Sequence, residues 1–183
     1  MVAAAKPKMR TVDMAYIALF AVVMAVCAWI SIPAAVPFTL QTFGVFLAVG
    51  LLGGKRGTLA VLVYLLLGAV GMPVFAGFNG GLGYMLGATG GYIVGFVLSA
   101  LVMWAMEAAL GRKTWVLAVS MVLGLAVCYV FGTAWFMVVY AQNSGPVGLM
   151  TALGWCVFPY MIPDLVKLAL AVLLSRRVKK FLK

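Results

Sequence analysis

Histidine is absent from these 183 residues, and aspartate and glutamate together occur only three times. Zinc-protease sites and most general-base designs draw on those side chains, so they are closed to this chain. No Gly-x-x-x-x-Gly-Lys-Ser/Thr loop is present to cradle a nucleotide. Gly53-Gly54-Lys55-Arg56-Gly57 reads as a turn between apolar segments, and no serine sits in a nucleophile-elbow context. Cys27, Cys128 and Cys156 are odd in number, lie inside apolar stretches and lack metal-ligand spacing, so they read as small buried hydrophobes. The sequence therefore points away from an enzyme and calls for neither a cofactor nor a metal. Charge is scarce as well: 9% of residues are charged, against about 25% in soluble domains.

What fills the chain instead is apolar surface, 67% of all residues. So few charges could not cover it in water, so lipid is the solvent. The apolar runs are continuous rather than alternating, which favours helices over a barrel. A span needs roughly 20 residues, and the runs predict an all-α bundle of six transmembrane helices in a single integral membrane domain, 1–183. The expected helices are 12–32, 39–53, 58–71, 90–110, 115–141 and 164–182, with a further short helix near 147–157. The basic start precedes an apolar run too long for a secretory signal, so it reads as an uncleaved first helix.

Twelve of the thirteen basic residues fall before helix one or after helices two, four and six, and the other connections hold none. In a six-helix alternation all twelve share one side, which the positive-inside rule makes cytoplasmic. Both termini are then cytoplasmic, in a multi-pass protein of the bacterial inner membrane. A net charge of +10 is thereby read as a topology signal, with no nucleic-acid partner implied.

Asp13 and Glu107 fall at cytoplasmic helix ends and read as solvated. Asp164 and Lys167 do not fit that pattern. They stand at i and i+3 on one face of helix six, in its outer half, with Asp164 expected in the first turn and favoured by the helix dipole. Facing lipid would cost several kcal/mol per charge, so the pair looks into the bundle or a cavity. A structural ion pair is one reading; a ligand site for a small molecule with polar ends is the other, and the absence of any other outer charge favours it. The long Gly-rich connection after helix three suits a cavity wall or lid, with Asn79 as its amide. Thr39 and Gln41, expected just inside helix two, offer further hydrogen bonds or a cap. Phe38, Phe75, Tyr84 and Tyr92 are candidate apolar walls. Ala21 and Ala25 form a small-residue stripe on helix one, and Gly83, Gly87, Gly91 and Gly95 recur every four residues; such spacing permits close helix packing. On helix one, docking against another membrane protein is the sharper expectation.

Several of these stretches are also familiar together. Val36-Pro37-Phe38-Thr39-Leu40-Gln41-Thr42-Phe43-Gly44-Val45, Leu51-Leu52-Gly53-Gly54-Lys55-Arg56-Gly57, Thr89-Gly90-Gly91-Tyr92 and Pro163-Asp164-Leu165-Val166-Lys167 resemble the BioY family, the biotin-binding S components of energy-coupling-factor transporters. So does the run from Tyr64 through Gly68, Pro73 and Phe75 to Gly77. The resemblance implies a six-helix S-component fold with a biotin pocket near the outer surface. Its implied partners are a transmembrane coupling protein and a cytoplasmic ATPase pair, which alone bind ATP. By motif it makes Asp164 and Lys167 ligand-handling residues, Asn79 a loop contact, and the Ala21/Ala25 stripe the surface met by the coupling protein. Biotin's ureido N–H groups suit a carboxylate acceptor, and its anionic tail or Asp164 itself would suit Lys167. The rival reading is a solitary biotin carrier working without ATP.

Overall fold

The computed structural model describes residues 9–34 and 36–178. Lys6, Lys8, Lys179, Lys180 and Lys183 of the topology argument lie outside them. Apolar composition and the need to satisfy backbone groups internally give helices throughout. In chain order the described residues form α1 (Thr11–Trp29), the strands β1 (Ser31–Ile32) and β2 (Phe38–Thr39), α2 (Gln41–Leu52) and α3 (Gly54–Ala69). A 3-10 turn at Ala76–Phe78 precedes α4 (Leu82–Met85), and α5 (Gly90–Leu110), α6 (Thr114–Ser144), α7 (Leu149–Cys156) and α8 (Phe158–Val178) follow. Helices α1, α5, α6 and α8 are long and apolar enough to cross a membrane, and α2 is a shorter apolar helix.

The helices pack as a bundle in which α5 and α6 form the most extensive pair, while α2 and α3 lie between α1, α5 and α8. Close approach of α5 to α6 depends on Gly91, where an added Cβ would fall 2.3 Å from the Cβ of Trp135. The Gly83-to-Gly95 repeat thus contributes to packing only where it enters α5. The reversal between α2 and α3 rests on Gly53, whose φ of 86° is open to glycine and costly for other residues. Arg112 lies over this residue so closely that a Cβ there would sit 1.4 Å from its guanidinium.

Several boundaries differ from the sequence expectation. Helix one ends at Trp29, because Ser31 and Ile32 leave the helix to pair antiparallel with Thr39 and Phe38. Thr39 is consequently a strand residue, and Gln41 opens α2. Helix three begins at Gly54, so Lys55 and Arg56 belong to its first turn. There Glu107 accepts the Gly54 backbone N–H at 2.9 Å, and a partner supplied by α5 replaces a local cap. Helix six begins at Phe158 and carries Pro163 inside it. Asp164 is its seventh residue, beyond the first turn in which the helix dipole acts.

Two acids expected in water are held by the fold. Asp13 is buried and pairs with Arg56 at 3.0 Å, joining α1 to α3. Glu107 pairs with Arg112 at 2.7 Å while holding the start of α3. Ala21 and Ala25 are buried at 1% and 4% exposure within the apolar core. The expected docking stripe on helix one is corrected accordingly: these alanines face the chain's own interior, where small side chains let α1 approach its neighbours. The three cysteines are buried and unpaired, as their apolar surroundings predict.

Candidate functional site

One face of α8 reads Tyr160, Asp164, Lys167, Leu168, Ala171 and Ser175, all buried. That spacing follows the helical repeat and turns both charges inward. Asp164 and Lys167 are 3% and 5% exposed, and yet both line a cavity of about 640 Å³, mouth included. The expectation that the pair faces a cavity instead of lipid is met.

The pair is densely bonded. Lys167 Nζ donates to Asp164 Oδ1 at 2.7 Å and to the Thr39 carbonyl at 2.6 Å, and it stands 4.1 Å from the centroid of the Phe38 ring. Such an arrangement satisfies a desolvated ammonium by charge-assisted bonds and a π face. Tyr129 on α6 donates to Asp164 Oδ2 at 2.6 Å. Each carboxylate oxygen therefore has one partner and lone-pair capacity left for another. The short β1–β2 ribbon supplies this geometry: it delivers the Thr39 carbonyl and the Phe38 ring to α8, and Phe38 stacks on Tyr160 with centroids 6.0 Å apart. Tyr160 in turn donates to the Val36 carbonyl, tying the turn before β2 to α8.

Thr39, Gln41, Tyr84 and Tyr92 all join Asp164 and Lys167 around the cavity. Gln41 Nε2 donates to the Tyr64 hydroxyl at 2.8 Å, and Tyr64 donates onward to the Val74 carbonyl. Tyr92 and Thr133 share a 2.8 Å hydrogen bond. Three expected residues stand apart from the lining. Phe38 backs the lysine. Phe75 is fully buried between Tyr64 and Tyr84, with ring centroids at 5.6 and 5.7 Å. Asn79 is exposed and spends its amide on the Ala76 carbonyl at 2.8 Å, closing a local turn. The Gly-rich connection is further anchored by Trp29, whose indole N–H donates to the Pro73 carbonyl and whose ring stacks on Phe78.

Sequence reasoning missed Tyr129 and Tyr160, along with the apolar wall of Ile93, Phe96 and Leu125. Tyrosines in an apolar helix read as packing, and only the spacing of Leu125, Cys128 and Tyr129 at i, i+3 and i+4 hinted at one inward face. Among the described residues no group of histidine, cysteine or acidic side chains could hold a metal.

A bundle of long apolar helices around a cavity with one buried carboxylate–ammonium pair defines a multi-pass membrane protein built to hold a small ligand. Comparison with known proteins makes this specific. The BioY family profile matches residues 3–183. The chain is 44% identical over 163 residues to the biotin transporter BioY of Thermotoga maritima, covering 88% of this chain and 92% of that protein. It is 40% identical over 172 residues to the probable biotin transporter BioY of Pyrococcus horikoshii, covering 93% and 98%. The crystal structure of the S component for biotin from an ECF-type ABC transporter superposes with a TM-score of 0.83 at 26% identity, covering 94% of this chain and 95% of that one. The chain belongs to the BioY family. That is a family of transport proteins, and the chain is not an enzyme.

Proposed function

We propose that this chain captures biotin as the S component of an energy-coupling-factor importer, with Asp164 as the residue that reads the ligand. What carries the reading is a carboxylate lining an otherwise largely apolar cavity, in a chain whose relatives are named for biotin. The free lone pairs of Asp164 accept the ureido N–H groups, while Ile93, Phe96, Leu125, Tyr84 and Tyr92 enclose the apolar thioether ring. Lys167 serves chiefly to hold Asp164, since its ammonium is already shared among Asp164, Thr39 and Phe38. Thr39 fixes that lysine through its carbonyl, and Gln41 lines the cavity with its amide N–H held by Tyr64. Asn79, Phe75 and Phe38 act one step back, shaping the loop and wall that others line. Charge-assisted bonds of roughly 1.5–3 kcal/mol each together with ring burial suffice for nanomolar binding, about −12 kcal/mol.

We place the whole chain, 1–183, in the cytoplasmic membrane as one domain of six spans with both termini inside. Support comes from the grouping of Arg10, Arg56 and Arg112 around one groove at one end of the bundle. Helix α2 has twelve residues, about 18 Å of helix, short of a hydrocarbon core of about 30 Å. The β1–β2 ribbon completes its crossing, and irregular backbone is tolerated there because it lines the cavity. A transmembrane coupling protein and cytoplasmic ATPases then supply the energy. Calorimetry of the purified chain tests the ligand: biotin is expected to bind at least a hundredfold more tightly than an analogue lacking the ureido group. Equal affinity for both would refute the assignment of Asp164 to the ureido ring.

A further inference from the structure

The chain has three side-chain carboxylates, and each is already paired: Asp13 with Arg56, Glu107 with Arg112, and Asp164 with Lys167. Lys113 and Arg176 therefore have no side-chain carboxylate of their own chain to pair with. Both border a second cavity, of about 720 Å³ with its mouth, enclosed by α2, α5, α6 and α8 at the opposite end of α8 from Asp164. Its inner wall is apolar (Val49, Met103 and Val116) and its rim is basic. Ser175 also lines it; the residue is fully buried and its hydroxyl has no hydrogen-bond partner. A buried hydroxyl left without a partner is unfavourable, and a ligand oxygen reaching it would supply one. Thr114, the first residue of α6, places a second hydroxyl and the unsatisfied N–H groups of a 31-residue helix at the same rim. The one carboxylate present, Glu107, is turned to Gly54 and Arg112.

We propose that this cavity is a binding site for a phosphate-bearing anion, with Lys113 and Arg176 supplying charge, and Ser175 and Thr114 hydrogen bonds. Two cations, two hydroxyls and a helix N-terminus match the several acceptor oxygens of a phosphate ester. Basic pockets between transmembrane helices at headgroup level take phospholipid headgroups in this way, and free phosphate offers the same chemistry. The site is independent of the ligand bound beside Asp164.

The test follows thermal unfolding of the full-length chain in neutral detergent while phosphatidylglycerol, phosphatidylcholine or inorganic phosphate is titrated in. Phosphatidylglycerol is expected to raise the melting temperature saturably and phosphatidylcholine not to. The Lys113→Gln/Arg176→Gln variant should weaken that response by about tenfold or more. Ser175→Ala should weaken it with both charges still in place. Lys55→Gln/Arg177→Gln, an equal loss of charge outside the cavity, should leave it intact. A matching response to inorganic phosphate identifies the free ion as an occupant, and its absence assigns the site to the lipid headgroup. No saturable response to either, or an equal loss in the control variant, overturns the proposal.

Discussion

Asp164 has one oxygen on Lys167 and the other on Tyr129, so its position is set by two different helices. The lone charges were legible in the sequence because a carboxylate and an ammonium at i and i+3 in an apolar helix require explanation. Tyr129 was not, since its role exists only once α6 and α8 are brought together. It is a positioning residue, and removing its hydroxyl should leave the fold intact but loosen the carboxylate. Tyr129→Phe is expected to weaken biotin binding by about tenfold, the equivalent of one charge-assisted hydrogen bond. Titration calorimetry beside an unchanged elution profile reads this directly. Unaltered affinity would remove Tyr129 from the site. Asn79 carries the converse lesson: a lone amide in a Gly-rich loop looks like a ligand contact, but here it satisfies its own turn.

Among the elements, α5 was read from its apolar run with the correct limits, and α7 was anticipated as a short helix. The β1–β2 ribbon was invisible because two-residue strands carry no periodicity. The start of α8 was missed because Pro163 reads as a helix stop, although neighbouring helices let proline persist within a membrane bundle. Pro159 stands in the first turn of α8, where its missing N–H is harmless. The alanine stripe on α1 shows a further limit, since small-residue spacing signals close packing without saying against what. Its burial yields a prediction for the isolated subunit. Ala25→Leu should lower the melting temperature of the purified chain alone, corresponding to about 1–3 kcal/mol of overpacking. If the isolated chain were unchanged and only assembly with a coupling protein failed, the stripe would face outward after all.

For the molecule as a whole, composition points to lipid as the solvent, and charge placement is the basis of the proposed topology. Helix α6, at 31 residues and about 46 Å, exceeds the hydrocarbon core and must tilt or project. A membrane-impermeant thiol reagent checks the proposed topology. In a background with the three native cysteines replaced by alanine, a cysteine at Lys113 should react only from the cytoplasmic side, and one at Gly145 only from outside. Labelling of both from the same side would break the six-span alternation. Reconstitution of the chain alone in liposomes separates a partner-dependent subunit from a solitary carrier. The expected outcome is biotin binding without accumulation against a gradient, and robust ATP-independent accumulation would favour the carrier.

The charged pair can be removed without leaving either half uncompensated, which matters because an unpaired buried charge costs about 3–5 kcal/mol. Biotin is titrated calorimetrically into the unaltered chain and into Asp164→Asn/Lys167→Met, with folding of both verified by thermal unfolding. The variant is expected to fold and to lose at least a hundredfold in affinity, about 2.7 kcal/mol. A folded variant that binds biotin as tightly as the unaltered chain would remove Asp164 from the ligand site.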